Sequence, residues 1–176
     1  SGPSVSAPMA AEVVAVVDPL STGACVALEV ASRGYQVIAV WGSEVTDDFK
    51  THVPLSCAGL TYVAEVSEQP TIKATAEALK TAVAGRRLVA CRVGAGSGVS
   101  LADALSEELG LRTNGTDIPQ RRNKKLQQEL VKAAGLRAVR QAGSTKWEDV
   151  EAFVKSERMP IVVKPVESAG SVRKTV

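Results

Sequence analysis

An open α/β parallel sheet of Rossmann-like type is the fold this sequence predicts for residues 10–111, followed by a smaller, partial α+β lobe. Three observations carry the prediction. Short β-branched apolar runs recur at 12–18, 35–41, 60–66 and 87–93, and their length and composition suit strands buried on both faces. Helical stretches between or after them stop at Gly34, Gly85 and Gly110, the residue type that ends helices in the left-handed conformation. Two glycine-and-hydroxyl loops, 18–24 and 94–98, each follow a strand and open a helix, as ligand loops do at the carboxyl end of such sheets.

Taken in order, Glu12 to Asp18 (EVVAVVD) predicts the first strand, closed by Asp18-Pro19. Thr22 is placed to cap a helix that runs to residue 33, and the second strand occupies 35–41. A unit of this kind has a right-handed crossover. The third strand is expected at 60–66, a helix at 70–84, the fourth strand at 87–93 and a helix at 100–109. Together they make a four-stranded parallel sheet with helices on both faces.

Residues 112–119 (RTNGTDIP) are turn-rich and predict a crossing between two lobes. A helix over 120–134, a strand over 137–141, a helix over 147–156 and a strand over 160–165 should follow. A fragment of that size buries little core by itself, so it is expected to lean on the first domain or on further polypeptide. The expected organisation is a flexible leader at 1–9, with Met9 resembling a natural start, then domains at 10–111 and 112–176.

Composition narrows the function. A net charge of +2 favours neither nucleic acid nor a membrane surface, and the chain holds only two each of Phe, Trp and Tyr. Base-stacking folds need more aromatic side chains than this, so no direct nucleic-acid partner is expected. No apolar run reaches the ~18 residues of a membrane span. Cys25, Cys57 and Cys91 show no CxxC spacing. They predict free thiols in a reducing compartment, cytoplasmic or organellar, and a protein that is not secreted. Cys25 and Cys91 lie in apolar runs and are expected in the core. His52 has no ligand-spaced partner and reads as a surface residue.

Four elements could carry chemistry. The 18–24 loop is either an anion-binding helix start or a capped β–α turn. The 94–98 loop is either a ligand contact or a place of tight packing. Arg121, Arg122, Asn123 and Lys124 are expected in the first turn of a helix, where the dipole disfavours cations by roughly 0.3–1 kcal/mol each. They either face an anion or form a solvated basic face. Lys164 sits in the apolar run 160–165, where burial calls for a counter-anion unless the side chain snorkels from an edge. Ser168, Ala169, Gly170 and Ser171 form a small-residue turn that could lay hydroxyls and amides over phosphate oxygens.

In their order and spacing, 17–24, 98–103, 109–115, 121–124 and 163–171 resemble the ATP-grasp carboxylate–amine ligases of the L-amino acid ligase and carnosine synthase type. The resemblance implies a preATP-grasp domain up to about residue 111 and then the start of an ATP-grasp fold. It implies ATP as a weakly held cofactor, with Lys124, Lys164 and Arg122 around it and Ser168, Ala169, Gly170 and Ser171 closing over the phosphates. The implied reaction is acyl-phosphate formation on a carboxylate, then attack by an amine. The lobe that supplies the adenine sandwich, the acidic Mg²⁺ ligands and an acyl-phosphate arginine is not in this sequence. The chain alone is therefore expected to be inactive, with Mg²⁺ bound only when a protein partner or a missing C-terminal lobe supplies that half. The alternative is a non-enzymatic, ATP-grasp-derived structural or accessory subunit of a larger assembly. Two departures stand out: Gly96 where the family pattern favours glutamate, and Lys125 and Gln127 where it favours an aromatic and a methionine.

Overall fold

The computed structural model describes residues 10–117 and 119–166. They fall into two compact units, one ending at Thr116 and the other beginning at Asp117.

The first unit contains β1 (Glu12–Val17), α1 (Thr22–Ser32), β2 (Gln36–Trp41), α2 (Asp47–Lys50), β3 (Ala64–Ser67), α3 (Ile72–Val83), β4 (Arg87–Val93) and α4 (Val99–Glu108). The four strands are parallel, in the order β3-β2-β1-β4. Val13 through Val17 pair with Gln36 through Val40, and β1 pairs on its other edge with β4, with one irregularity between Val13 and Val14. The chain builds outward from β1 through β2 to β3, then returns to place β4 on the far side of β1. That reversal makes the β1/β4 boundary the topological switch point, whose carboxyl end is the ligand crevice in open α/β sheets.

Strand alternation sorts the core into two faces. Val13, Ala15 and Val17, with Ile38, Val40 and Cys91, pack against Ala76, Leu79 and Val83 of α3 and Leu101, Ala102 and Leu105 of α4. Val14, Val16 and Val37 turn the other way, to Ala27 and Val30 of α1. Each fully buried Val, Leu or Ile side chain stabilises the fold by about 1.5–3 kcal/mol. The doubly covered parallel sheet is the one the sequence predicts.

The details differ in four places. β3 begins at Ala64, not residue 60, because Leu60 and Tyr62 instead pack on the α1 face. The β2–β3 connection contains α2 and a 3-10 turn (Leu55–Cys57) that sequence reasoning left unassigned. Thr22 does not cap α1: it is the first helical residue, the cap position is Ser21, and no side-chain cap bond forms there. Cys25 is exposed, not in the core. The helix buries Gly23, Ala24 and Ala27, and at ~100° per residue position 25 faces away from them.

The second unit has a 3-10 turn (Pro119–Arg121), α5 (Lys124–Ala133) and α6 (Trp147–Ser156). Asn123 caps α5 by accepting from the Leu126 N–H at 3.0 Å. The helix therefore starts at Lys124 and not at residue 120. Gly135, at φ 72°, follows its end.

The strands expected at 137–141 and 160–165 do not form among the described residues. The Val139 N–H donates to the Gln128 side chain at 2.9 Å, and the Gln141 amide donates to the Lys125 carbonyl at 2.9 Å and the Glu129 carboxylate at 3.0 Å. The first segment is thus held to α5 by side-chain bonds in place of a backbone ladder. Pro160 and Pro165 remove two donors from the second. No described residue of this unit is fully buried, and Val162 is 76% exposed. Neither segment has a ladder partner among the described residues.

Candidate functional site

The carboxyl end of β1 is organised by one side chain. Asp18, only 1% exposed, takes a left-handed φ of 52°, which Asp tolerates better than most residues. Its backbone N–H donates to Val40 O at 2.8 Å. Its carboxylate accepts from the Gly42 N–H at 2.8 Å and from the Ser97 hydroxyl. One buried side chain therefore ties together the loops that follow β1, β2 and β4. Burying a carboxylate is costly unless donors replace its water, and here a backbone amide and a hydroxyl do so.

The glycines around Asp18 are explained by backbone proximity. A Cβ on Gly94 would lie 2.5 Å from Asp18 O, and one on Gly98 would lie 2.7 Å from a Val17 methyl. The Gly94 N–H donates to Val17 O at 2.7 Å. Of the two readings of the 94–98 loop, tight packing accounts for Gly94 and Gly98.

The 18–24 loop closes as a hydrogen-bonded β–α turn. Ser21 N–H donates to His52 O at 2.6 Å, Gly23 N–H to Leu20 O at 2.8 Å and Ala24 N–H to Ser21 O at 3.2 Å. His52 is exposed, and its Nδ1 lies 2.9 Å from Asp48 O.

Sequence reasoning placed Asp18 at a strand end but missed its role as the junction of three loops. The usable signal was an acidic residue closing an apolar run, with glycines after the second and fourth strands.

In the second unit, the basic run is not one helical turn. Arg121 ends the 3-10 turn, Arg122 and Asn123 follow it, and only Lys124 belongs to α5. The Gln127 amide donates to the Arg121 carbonyl at 2.9 Å. The Lys124 backbone N–H donates to Val166 O at 3.0 Å. The start of α5 therefore lies against the segment that contains Lys164, two residues before Val166. Lys164 itself is exposed and lies outside any strand, which corrects the expectation of a lysine buried in an apolar strand. Ser168, Ala169, Gly170 and Ser171 lie outside the described residues.

Among the described residues, no group of three or more His, Cys, Asp or Glu side chains could hold a metal ion. No helix there is long and apolar enough to cross a membrane.

No protein-family model matches the chain, and no curated protein matches it. Among solved structures, the chain is similar to an L-amino acid ligase from Bacillus licheniformis, with a TM-score of 0.58 and 14% sequence identity. The likeness covers 92% of this chain and 39% of the ligase chain. At that identity it shows the fold alone: an α/β arrangement with a four-stranded parallel, Rossmann-like sheet.

Proposed function

We propose that this chain is the N-terminal part of an ATP-grasp carboxylate–amine ligase-like protein that faces nucleotide but does not turn over alone. The observation that carries the reading is the fold shared with an L-amino acid ligase over 92% of this chain. The first unit corresponds to the preATP-grasp domain and the second to the opening part of the grasp lobe.

The residues present fit a polyphosphate in part. Lys124 begins α5, and its backbone meets the segment that carries Lys164, so two cationic residues come from adjoining backbone. Arg122 lies two residues before Lys124, and the sequence adds the hydroxyl-bearing Ser168 and Ser171 after Lys164. When bound, ATP supplies the phosphoryl group that activates a carboxylate for attack by an amine. The role proposed for Lys124, Lys164 and Arg122 is to bind and orient the phosphates and offset their charge. Acidic Mg²⁺ ligands belong to the half that a partner or further polypeptide provides.

Exposed apolar side chains support such a partner. Leu126, Leu130, Trp147, Met159, Val162 and Val163 are all at least 40% exposed. The same exposed side chains support a second reading, in which the chain is a non-enzymatic structural subunit of a larger assembly.

Isothermal titration with ATP, with and without Mg²⁺, separates the two readings. The ligase-like reading expects a Kd of about 100 μM or tighter that is lost in both Lys124→Ala and Lys164→Ala. An absence of binding heat, together with co-purification in a stable complex, supports the structural reading. Phosphate release by this chain alone, dependent on both a carboxylate and an amine, would overturn the proposed inactivity.

A further inference from the structure

Cys25 and Cys57 are 32 residues apart in sequence, yet their sulfurs stand 3.6 Å apart. Cys25 lies in the first turn of α1 and is exposed, whereas Cys57 closes the 3-10 turn Leu55–Cys57 and is 2% exposed. The backbone on both sides is anchored. The Ser21 N–H, just before α1, donates to His52 O at 2.6 Å, and the Cys57 N–H donates to Pro54 O at 2.8 Å. Cys91 is buried with the α3/α4 core, separate from this pair.

We propose that Cys25 and Cys57 form a reversible dithiol–disulfide couple, which a low-molecular-weight disulfide such as glutathione disulfide closes into a staple between α1 and the β2–β3 connection. The proposal is independent of the nucleotide reading. Cys25 gives its proton to solvent, and its thiolate attacks one sulfur of glutathione disulfide. That S–S bond breaks, and one glutathione leaves as a thiolate and takes up a proton. Cys57 then loses its proton and attacks Sγ of Cys25 in the mixed disulfide, expelling the second glutathione in the same way. Two protein thiols become one disulfide, and one glutathione disulfide becomes two glutathione thiols.

Burial assigns the roles: the exposed sulfur meets the oxidant, and the buried one resolves the adduct. The sulfurs must close by roughly 1.5 Å to reach the disulfide bond length of about 2.05 Å. The staple joins the connection that begins at Gly42, whose amide holds Asp18, to the helix that follows Asp18.

The test uses the full chain, equilibrated in glutathione buffers from reducing to oxidising, quenched by alkylation and mapped as peptides without reduction. The expected result is a Cys25–Cys57 linked peptide, with Cys91 thiol retained. Cys57→Ser should trap a glutathione adduct on Cys25, and Cys25→Ser should leave Cys57 unmodified. The proposal is overturned if both thiols remain alkylatable at the most oxidising poise, or if the oxidised product involves Cys91 or joins two chains. Should either variant fail to fold, the peptide map of the unsubstituted chain decides the matter.

Discussion

Gly23 and Gly94 meet backbone to backbone: a Cβ on Gly23 would lie 2.5 Å from the carbonyl carbon of Gly94. The first turn of α1 can therefore sit over the end of β4 only if position 23 has no side chain. Gly23→Ala should destabilise the first unit by about 1–3 kcal/mol, because the obstructing group is backbone and cannot swing aside. Gly59→Ala, where an added Cβ meets nothing within 4 Å, is the control and should change stability by less than about 0.5 kcal/mol. Urea unfolding followed by circular dichroism measures both.

Asp18→Ala should cost about 2–4 kcal/mol, since it leaves the Gly42 amide and the Ser97 hydroxyl without their shared acceptor,. Asp18→Asn keeps the shape and one acceptor oxygen and should cost less. Equal losses in the two variants, measured by denaturant midpoint, would contradict the role assigned to the carboxylate.

The Cys57 thiol, hydrogen-bonded beside Cys25, is the main cause holding the Cys25 pKa above the ordinary thiol value, with desolvation second. Removing it should increase the reactive thiolate fraction at neutral pH. In Cys57→Ala, iodoacetamide should alkylate Cys25 roughly severalfold faster at about pH 7.5. A rate that is unchanged or slower contradicts this.

Burial pushes Cys91 from 9.0 up to about 11. The folded state therefore holds this proton more tightly than the unfolded chain does. The stabilisation is fully present below about pH 9 and is lost as pH rises through 11, a change of roughly 2–3 kcal/mol. Tyr62, raised from 10.0 to about 12 chiefly by burial, acts in the same direction at higher pH. Stability should be flat near neutrality and fall in alkali, and Cys91→Ala should reduce the fall between about pH 9 and 11. Chemical denaturation across that range measures the slope.

The first unit was largely legible in the sequence. β4 falls on the expected residues, α6 on its expected span in the second unit, and glycines follow α1, α3, α4 and α5 where expected. These features follow from local chemistry: β-branched runs, helical periodicity and the left-handed freedom of glycine. β3 was misplaced at its start because Leu60 and Tyr62 are apolar in the manner of strand residues but pack outside the sheet.

The site was less legible, because proximity between residues distant in sequence creates it. Asp18 becomes a junction only when β2 and β4 flank β1, and Cys25 meets Cys57 only through the path of the β2–β3 connection. The segments 137–141 and 160–165 show the converse. Residues 137–141 alternate as a strand does and 160–165 form an apolar run, but a strand also requires a neighbour to take its hydrogen bonds, and no such ladder forms there among the described residues.

The sequence alone thus determined the parallel α/β sheet, its helix boundaries to within a few residues, and the glycine-rich character of its carboxyl-end loops, since all of these depend on local conformational preference and burial period. The tertiary structure decided the strand order and the three-loop junction at Asp18. It also decided the pairing of two thiols and the failure of the last two strands. Each of those depends on which distant backbone supplies the partner for a buried polar group or an open ladder.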